Sequence, residues 1–274
     1  MRLKGAILAT MPTSYWPLDE VSGALCHDEM NLHGAAVPSA GVKLAAIPFG
    51  VSSFPYFDGE IESYLRVTDD PQYSASYANA LTVAAWLCPL ALDNTHTGGS
   101  IDQYTHFLEK SINASTDVEW LMRLYNKTNP HRHARLSFYT FNLGVSSHEQ
   151  GNGAYMEYGV SANDAVPVDL GKWLFVVGQA EPWISPNDLT KGCIFWKQNV
   201  KAARSSGDKY GTYHVHPQHG AGSLRMGGTP PLGYKGSIAH VALWNRLLSS
   251  AEITAIWSGG LTELRGTPMY HSYV

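Results

Sequence analysis

The sequence is poor in charge. Only 15 % of its 274 residues are Asp, Glu, Lys or Arg, the formal net charge is −4, and no basic run occurs. Phosphate backbones are held by clustered Lys and Arg, so the composition argues against a nucleic-acid partner. Cysteine is scarce too. Cys26, Cys88 and Cys193 form no Cys-x-x-Cys pair, which argues against a disulfide framework and a structural zinc site. Isolated thiols suit a reducing compartment, and the expectation is cytoplasmic synthesis without export. The apolar run from Gly5 to Met11 is weak as a secretory core, so the N-terminus reads as part of the mature protein. No stretch approaches the roughly 18 apolar residues of a membrane span. A long helical period, an internal repeat and a glycine-rich phosphate loop are all missing.

What is present is alternation. In Leu81–Pro89, Leu81, Val83, Ala85 and Leu87 fall on one face and Thr82, Ala84, Trp86 and Cys88 on the other. Both sets are largely apolar, which predicts a strand covered on both sides. Around residues 119–126, Trp120, Met122 and Leu124 oppose Leu121, Arg123 and Tyr125. In 135–141, Leu136, Phe138 and Thr140 oppose Arg135, Ser137, Tyr139 and Phe141. Further short runs at 172–180, 192–200 and 222–228 are bounded by turn residues. Many short strands separated by turns predict an all-β, two-sheet antiparallel jelly-roll sandwich in a single domain over 1–274. The expected core covers about 14–257, with a tail at 258–274.

The segment Gly236–Trp257 changes period halfway. Ile238, His240, Ala242 and Trp244 alternate with Ala239, Val241 and Leu243. Ser249 and Glu252 then form a capping box. Ile253, Ile256 and Trp257 share one helical face, and Gly259-Gly260 read as the stop. One short C-terminal helix, plugged onto the sandwich, is expected.

Several stretches, taken in order, resemble the LamG-like jelly-roll family of the concanavalin A-like lectin/glucanase superfamily. They are Tyr15–Gly23, Asp28–Gly34, Phe57–Gly59 with Tyr64–Val67, Leu81–Pro89, Trp173–Val177, Trp196–Asn199, Leu224–Gly228 and Tyr234–Ser249. The resemblance covers roughly 14–257. It implies two packed antiparallel sheets with ligands on the concave sheet or at its rim. It also implies a calcium site held by Asp19, Asp28 and carbonyls near Asn31. The sequence departs from the family at Ala239, where an acid is usual, and loss of that carboxylate weakens such a site.

Three stretches carry side chains suited to a ligand. Arg123 and Tyr125, with His131, His133, Arg135 and Tyr139, fall on adjacent strand runs. Together they read either as a basic–aromatic face for an acidic sugar, with Arg pairing the carboxylate, or as an ordinary solvated loop tip. Residues 207–220 hold Lys209, Tyr210, Tyr213, His214, His216 and His219, and read as a polar loop or as proton-transfer groups of a lyase. Trp183, between Pro182 and Pro186, and Trp196 read as sugar-stacking platforms or as core caps. The acid-pair strand of the superfamily's glucanases is absent, since Asp117-Val-Glu119 has the wrong spacing. The function expected is lectin-like carbohydrate binding. The alternatives are a polysaccharide lyase or glycosidase on the same fold, or a structural protein with an assembly partner.

Overall fold

A computed structural model describes residues 2–20, 23–32, 34–42, 44, 54–60, 62–92, 104–112, 117–126, 129, 134–143, 151–157, 170–184, 192–202, 216, 218–228 and 233–264. Two antiparallel seven-stranded sheets face each other. The first runs β1 (Ser14–Trp16), β14 (Lys235–Trp244), β5 (Leu81–Pro89), β10 (Leu174–Ala180), β11 (Cys193–Lys197) and β12 (Val200–Lys201), with β3 (Tyr56–Asp58) also on β14. The second runs β2 (Val37–Pro38), β4 (Leu65–Val67), β13 (Ser223–Met226), β6 (Tyr104–Ser111), β7 (Val118–Tyr125), β8 (Arg135–Phe141) and β9 (Gly151–Glu157).

The alternation in the sequence becomes the layering. Leu81, Val83, Ala85 and Leu87 of β5 meet Trp120, Met122 and Leu124 of β7 and Leu136 and Phe138 of β8 in the core between the sheets. The opposite face of β5, with Ala84, Trp86 and Cys88, enters a second core under two helices. These are α1 (Leu3–Leu8) and α2 (Ser250–Glu263). All three cysteines are buried thiols outside any disulfide.

α2 begins as expected. Ser249 Oγ accepts from the Glu252 N–H at 3.3 Å, and Glu252 Oε2 accepts from the Ser249 N–H at 2.8 Å. Arg246 adds a two-pronged contact to Glu252 at 2.7 and 3.2 Å. Where α2 ends differs from the expectation. It runs through Gly259 and Gly260 to Glu263. The glycines are there for close approach rather than termination: a Cβ on Gly260 would lie 1.9 Å from the Trp86 ring, and one on Gly259 would lie 3.1 Å from Leu3 Cα. α1 was not expected either. Its Leu3, Ala6 and Ile7 are buried against α2 and the outer face of β5, so packed structure extends beyond 14–257 in both directions.

β14 also breaks strict alternation. Its register with β5 shifts between Ala239 and Ala242, and His240 takes φ +51°. The extra residue at this bulge leaves Ile238, Val241 and Leu243 facing the sheets' shared core and Ala239, Ala242 and Trp244 facing the helices. The His240 N–H donates to Pro17 O at 3.0 Å, and its Nδ1 meets the Tyr15 hydroxyl at 2.7 Å. Burial, with the Lys4 ammonium adding to it, lowers His240 from 6.5 to about 3. An unfolded histidine binds a proton below its ordinary pKa, whereas the folded one stays neutral. Stability therefore falls as pH drops from 6.5 toward 3. From the size of that shift, wild type should lose about 2 kcal/mol more than His240→Asn between pH 6.5 and pH 5. Asparagine tolerates the left-handed backbone, and urea unfolding at the two pH values measures the difference.

Candidate functional site

β7 and β8 are direct neighbours, with Arg123 opposite Ser137 and Leu121 opposite Tyr139. Arg123 and Tyr139 do share a face, as the alternation predicts. That face is not solvated. Arg123 is 6 % exposed, Tyr125 1 % and Tyr139 2 %. The Arg123 guanidinium lies 4.5 Å from the Tyr104 ring centroid, 4.8 Å from Tyr139, 5.8 Å from Tyr125 and 5.9 Å from Phe141. It donates to the Tyr125 hydroxyl at 3.2 Å, while its Nε is buried without a hydrogen-bond partner among the described residues. The expected acidic-sugar contact at Arg123 is thus replaced by a cation enclosed in aromatic rings. Arg135 is half-buried and lies 3.5 Å over the Tyr155 ring. His131 and His133 lie outside the described residues, as do Lys209, Tyr210, Tyr213 and His214. Arg123→Ala should cost about 2–4 kcal/mol through lost packing and cation–π contact. Arg135→Ala should cost under about 1 kcal/mol, and the urea midpoints of the two variants test the contrast.

Trp196 is core. It is 8 % exposed, packs in the layer under the helices, and donates from Nε1 to Gln179 Oε1 at 2.8 Å. It lies in β11, ahead of the β11–β12 hairpin turn and paired with Lys201, as a buried structural residue.

Trp183 has the other environment. Its backbone is clasped by one side chain: Asn79 Nδ2 donates to Trp183 O at 2.8 Å, and the Trp183 N–H donates to Asn79 Oδ1 at 2.9 Å. Its indole is half-buried and packs on His216, ring centroids 4.3 Å apart and tilted 36°. Tyr77, on the same turn as Asn79, is 56 % exposed, and Ile184 is 62 % exposed. Aromatic and apolar surface is therefore gathered at one end of the sandwich.

The segment bearing His216 is laced down from several sides. The His216 N–H donates to Asn142 Oδ1 at 3.2 Å, and Gln218 Oε1 accepts from the Leu143 N–H at 3.1 Å. His219 Nδ1 lies 3.0 Å from Ser74 Oγ, and its Nε2 lies 3.5 Å from Asp69 Oδ2. Beneath them sits Lys110, with no solvent exposure at all. Its Nζ donates to Glu119 Oε1 at 2.5 Å, Asp69 Oδ1 at 2.7 Å, and the carbonyls of Gly220 and Gly222, both at 2.9 Å. Glu119 Oε1 also accepts from the Gly220 N–H at 2.9 Å. A buried ammonium is tolerable only with this many acceptors around it.

Chemically, the rim offers a ring platform and an imidazole that is 38 % exposed and set against carboxylates. Among the described residues, the serine beside His219 is Ser74, and its full burial does not place it as a nucleophile. The sequence reading had Trp183, His216 and His219 in view, but as separate features. Asn79, Ser74, Asp69, Lys110 and Glu119 had no local signal that could have tied them together.

The residues implied as calcium ligands differ in burial. Asp28 is 3 % exposed, and its Oδ1 accepts from the Tyr15 N–H at 2.8 Å and the Met30 N–H at 3.0 Å. Its Oδ2 is buried without a hydrogen-bond partner among the described residues. Asp19 is exposed, Asn31 sits at φ +52° in the turn after Asp28, and Ala239 is buried toward the helices. Among the described residues, no three His, Cys, Asp or Glu side chains converge as a metal site. Calcium takes about six to eight oxygen ligands, so Asp28 by itself supplies only a small part of such a site.

No protein-family model matches the chain, and no curated protein matches it. Solved structures do. The receptor-binding domain of botulinum neurotoxin type G superposes with a TM-score of 0.60 at 8 % identity, over 90 % of this chain and 51 % of that one. The ligand-binding domain of botulinum neurotoxin serotype D, solved with N-acetylneuraminic acid, gives 0.60 at 11 %, over 93 % and 53 %. The binding domain of Paraclostridial Mosquitocidal Protein 1 gives 0.56 at 12 %, over 89 % and 51 %. The chain spans about half the length of the solved domains it matches. The likeness is one of fold: this chain is a two-sheet antiparallel β-sandwich of the kind found in toxin receptor-binding domains.

Proposed function

We propose that this chain is a LamG-like, carbohydrate-binding jelly roll whose ligand lies across the Trp183–His216 platform. The observation that carries this reading is the half-exposed Trp183 indole, whose backbone is pinned by Asn79 and whose ring packs on His216. A sugar ring presents one face of C–H bonds to such a surface and turns its hydroxyls toward neighbouring polar groups. Because the platform is held by its own hydrogen bonds, little conformational freedom remains to be lost on binding. A sandwich of the same fold was solved with N-acetylneuraminic acid, which supports a sugar as the ligand class. Asp69, Glu119 and the buried Lys110 lie under the segment that leads from His216 to Gly222, and their two carboxylates against one ammonium favour hydroxyl recognition over pairing of a sugar carboxylate.

A glycan array followed by titration calorimetry tests the reading. Wild type should bind an oligosaccharide, and Trp183→Ala should weaken that binding by at least about tenfold. The melting temperature should move little, because the indole is partly solvated. Equal binding by wild type and Trp183→Ala would rule the platform out. Incubation with uronate polymers, read by the ultraviolet absorbance of an unsaturated product, separates binding from lyase chemistry at His219. Repeating the melts with calcium and with chelator tests the ion directly, since any ligand specific to the native state raises its stability.

A further inference from the structure

The turn that leads from Asp70 into β5 carries Tyr77, whose side chain is 56 % exposed. A single exposed aromatic on a loose turn needs no account. This turn is not loose. Asp70 Oδ1 accepts from the Gln72 N–H at 2.9 Å and caps its start. Tyr73 and Ala75 are sunk in the core between the sheets, and Trp120 Nε1 donates to Tyr73 O at 2.8 Å. The Trp16 ring meets Tyr73 edge-on at 5.8 Å.

Both flanks of Tyr77 are tied to the rim. On one side, Ser74 O accepts from the Tyr77 N–H at 3.2 Å, and Ser74 Oγ lies 3.0 Å from His219 Nδ1. On the other, Asn79 grips the N–H and the carbonyl of Trp183 with its one amide. Asn79 does so from φ +53°, a left-handed backbone that asparagine enters more readily than most residues. Tyr77 therefore stands between a tie to the His219 segment and a tie to Trp183. Two Cα steps and the Asn79 clasp put its Cα within about 15 Å of the Trp183 Cα.

We propose that Tyr77 is a second stacking ring of the Trp183 site, and that the site takes an extended, neutral oligosaccharide across both rings rather than one sugar residue. This rests on the carbohydrate reading of the Trp183 platform and adds its length and its second contact. One pyranose covers one indole and leaves the Tyr77 ring in water, whereas a chain of several linked rings reaches both. A tyrosine suits the role: it offers a broad rigid face with few torsions to freeze, and its hydroxyl can donate to and accept from sugar hydroxyls. Because the backbone on either side of it is already fixed, little further ordering is needed on binding. The surplus of carboxylate over ammonium beneath the rim, Asp69 and Glu119 against Lys110, disfavours an acidic chain.

The test is an amide chemical-shift titration with three neutral series, the chito-, cello- and malto-oligosaccharides, each from monosaccharide to hexasaccharide. Wild-type affinity for one series should rise with chain length and level off once both rings are covered. Tyr77→Ala should bind the monosaccharide as wild type does, yet lose about fivefold on the longest members. Tyr77→Phe keeps the ring and should follow wild type within about twofold. Trp183→Ala should weaken every length. Both Tyr77 variants should melt as wild type does, because the side chain is exposed. Tyr77→Ala matching wild type at every length overturns the second ring and leaves the Trp183 platform standing. The same holds for an affinity that does not rise with length, or for Tyr77→Ala weakening monosaccharide and hexasaccharide alike. If Trp183→Ala binds as wild type does, the platform falls and the proposal with it. Wild type ignoring all three series also overturns the proposal, and the glycan array then decides the fate of the platform.

Discussion

Replacing Lys110 with methionine is expected to destabilise the fold by about 3–5 kcal/mol, the cost of breaking a buried ion pair from one side. The methionine fills most of the stem's volume, so packing is not the main loss. The charge is. Glu119 is only 4 % exposed and would keep a carboxylate with no cation, while the carbonyls of Gly220 and Gly222 would lose their donor. Urea unfolding should show the midpoint falling with an unchanged slope. The double variant Lys110→Met/Glu119→Gln should recover part of the loss, because it removes the stranded charge, and a positive coupling in that cycle identifies the pair as the cause. If Lys110→Met alone melts within about 1 kcal/mol of wild type, the ammonium does not hold this rim. The same variant should weaken binding at the Trp183 platform, since the segment carrying His216 loses its anchor.

Gly260→Ala comes next in size, with an expected loss of about 3 kcal/mol or more. By helix propensity alone it should stabilise α2, by about 1 kcal/mol. Packing reverses the sign. The new methyl would sit 1.9 Å from the Trp86 ring, and Trp86 is wholly buried between β14 and β10 with Phe175 stacked on it at 5.3 Å. A rigid indole in a filled core cannot swing aside, so α2 must lift or the core must shift. Gly259→Ala is the comparison. Its Cβ meets Leu3 at 3.1 Å, and α1 can yield by a few tenths of an ångström. Its loss should be clearly smaller, and equal melting of the two variants would mean that α2 does not press on Trp86 as described.

The two glycines also show where reading along the chain fails. A Gly-Gly pair after an amphipathic turn looks like a helix stop because local chemistry has no other use for it. Here the use is non-local, as Trp86 lies more than 170 residues away in sequence. His240 is similar. Period two runs through it on paper, but the Tyr15 hydroxyl and the Pro17 carbonyl favour a bulge there. Arg123 is the third case. Strand alternation sorts side chains into two faces, yet it cannot say what covers a face, and the guanidinium that looked solvent-bound lies among four rings.

Period-two runs with turn residues between them were enough to determine an all-β sandwich, the two apolar faces of β5, the assignment of β7 and β8 side chains to faces, and the capped start of α2. Those features depend on contacts within a few residues or on the geometry of the strand itself, so they are written locally. The candidate site is not. Asp69, Ser74 and Asn79 precede β5, Lys110 and Glu119 belong to β6 and β7, Trp183 follows β10, and His216 and His219 precede β13. Only the tertiary structure brings them to one rim, because the sheet order places strands side by side that are far apart in the chain, and the burial of one ammonium then draws the loops together around it.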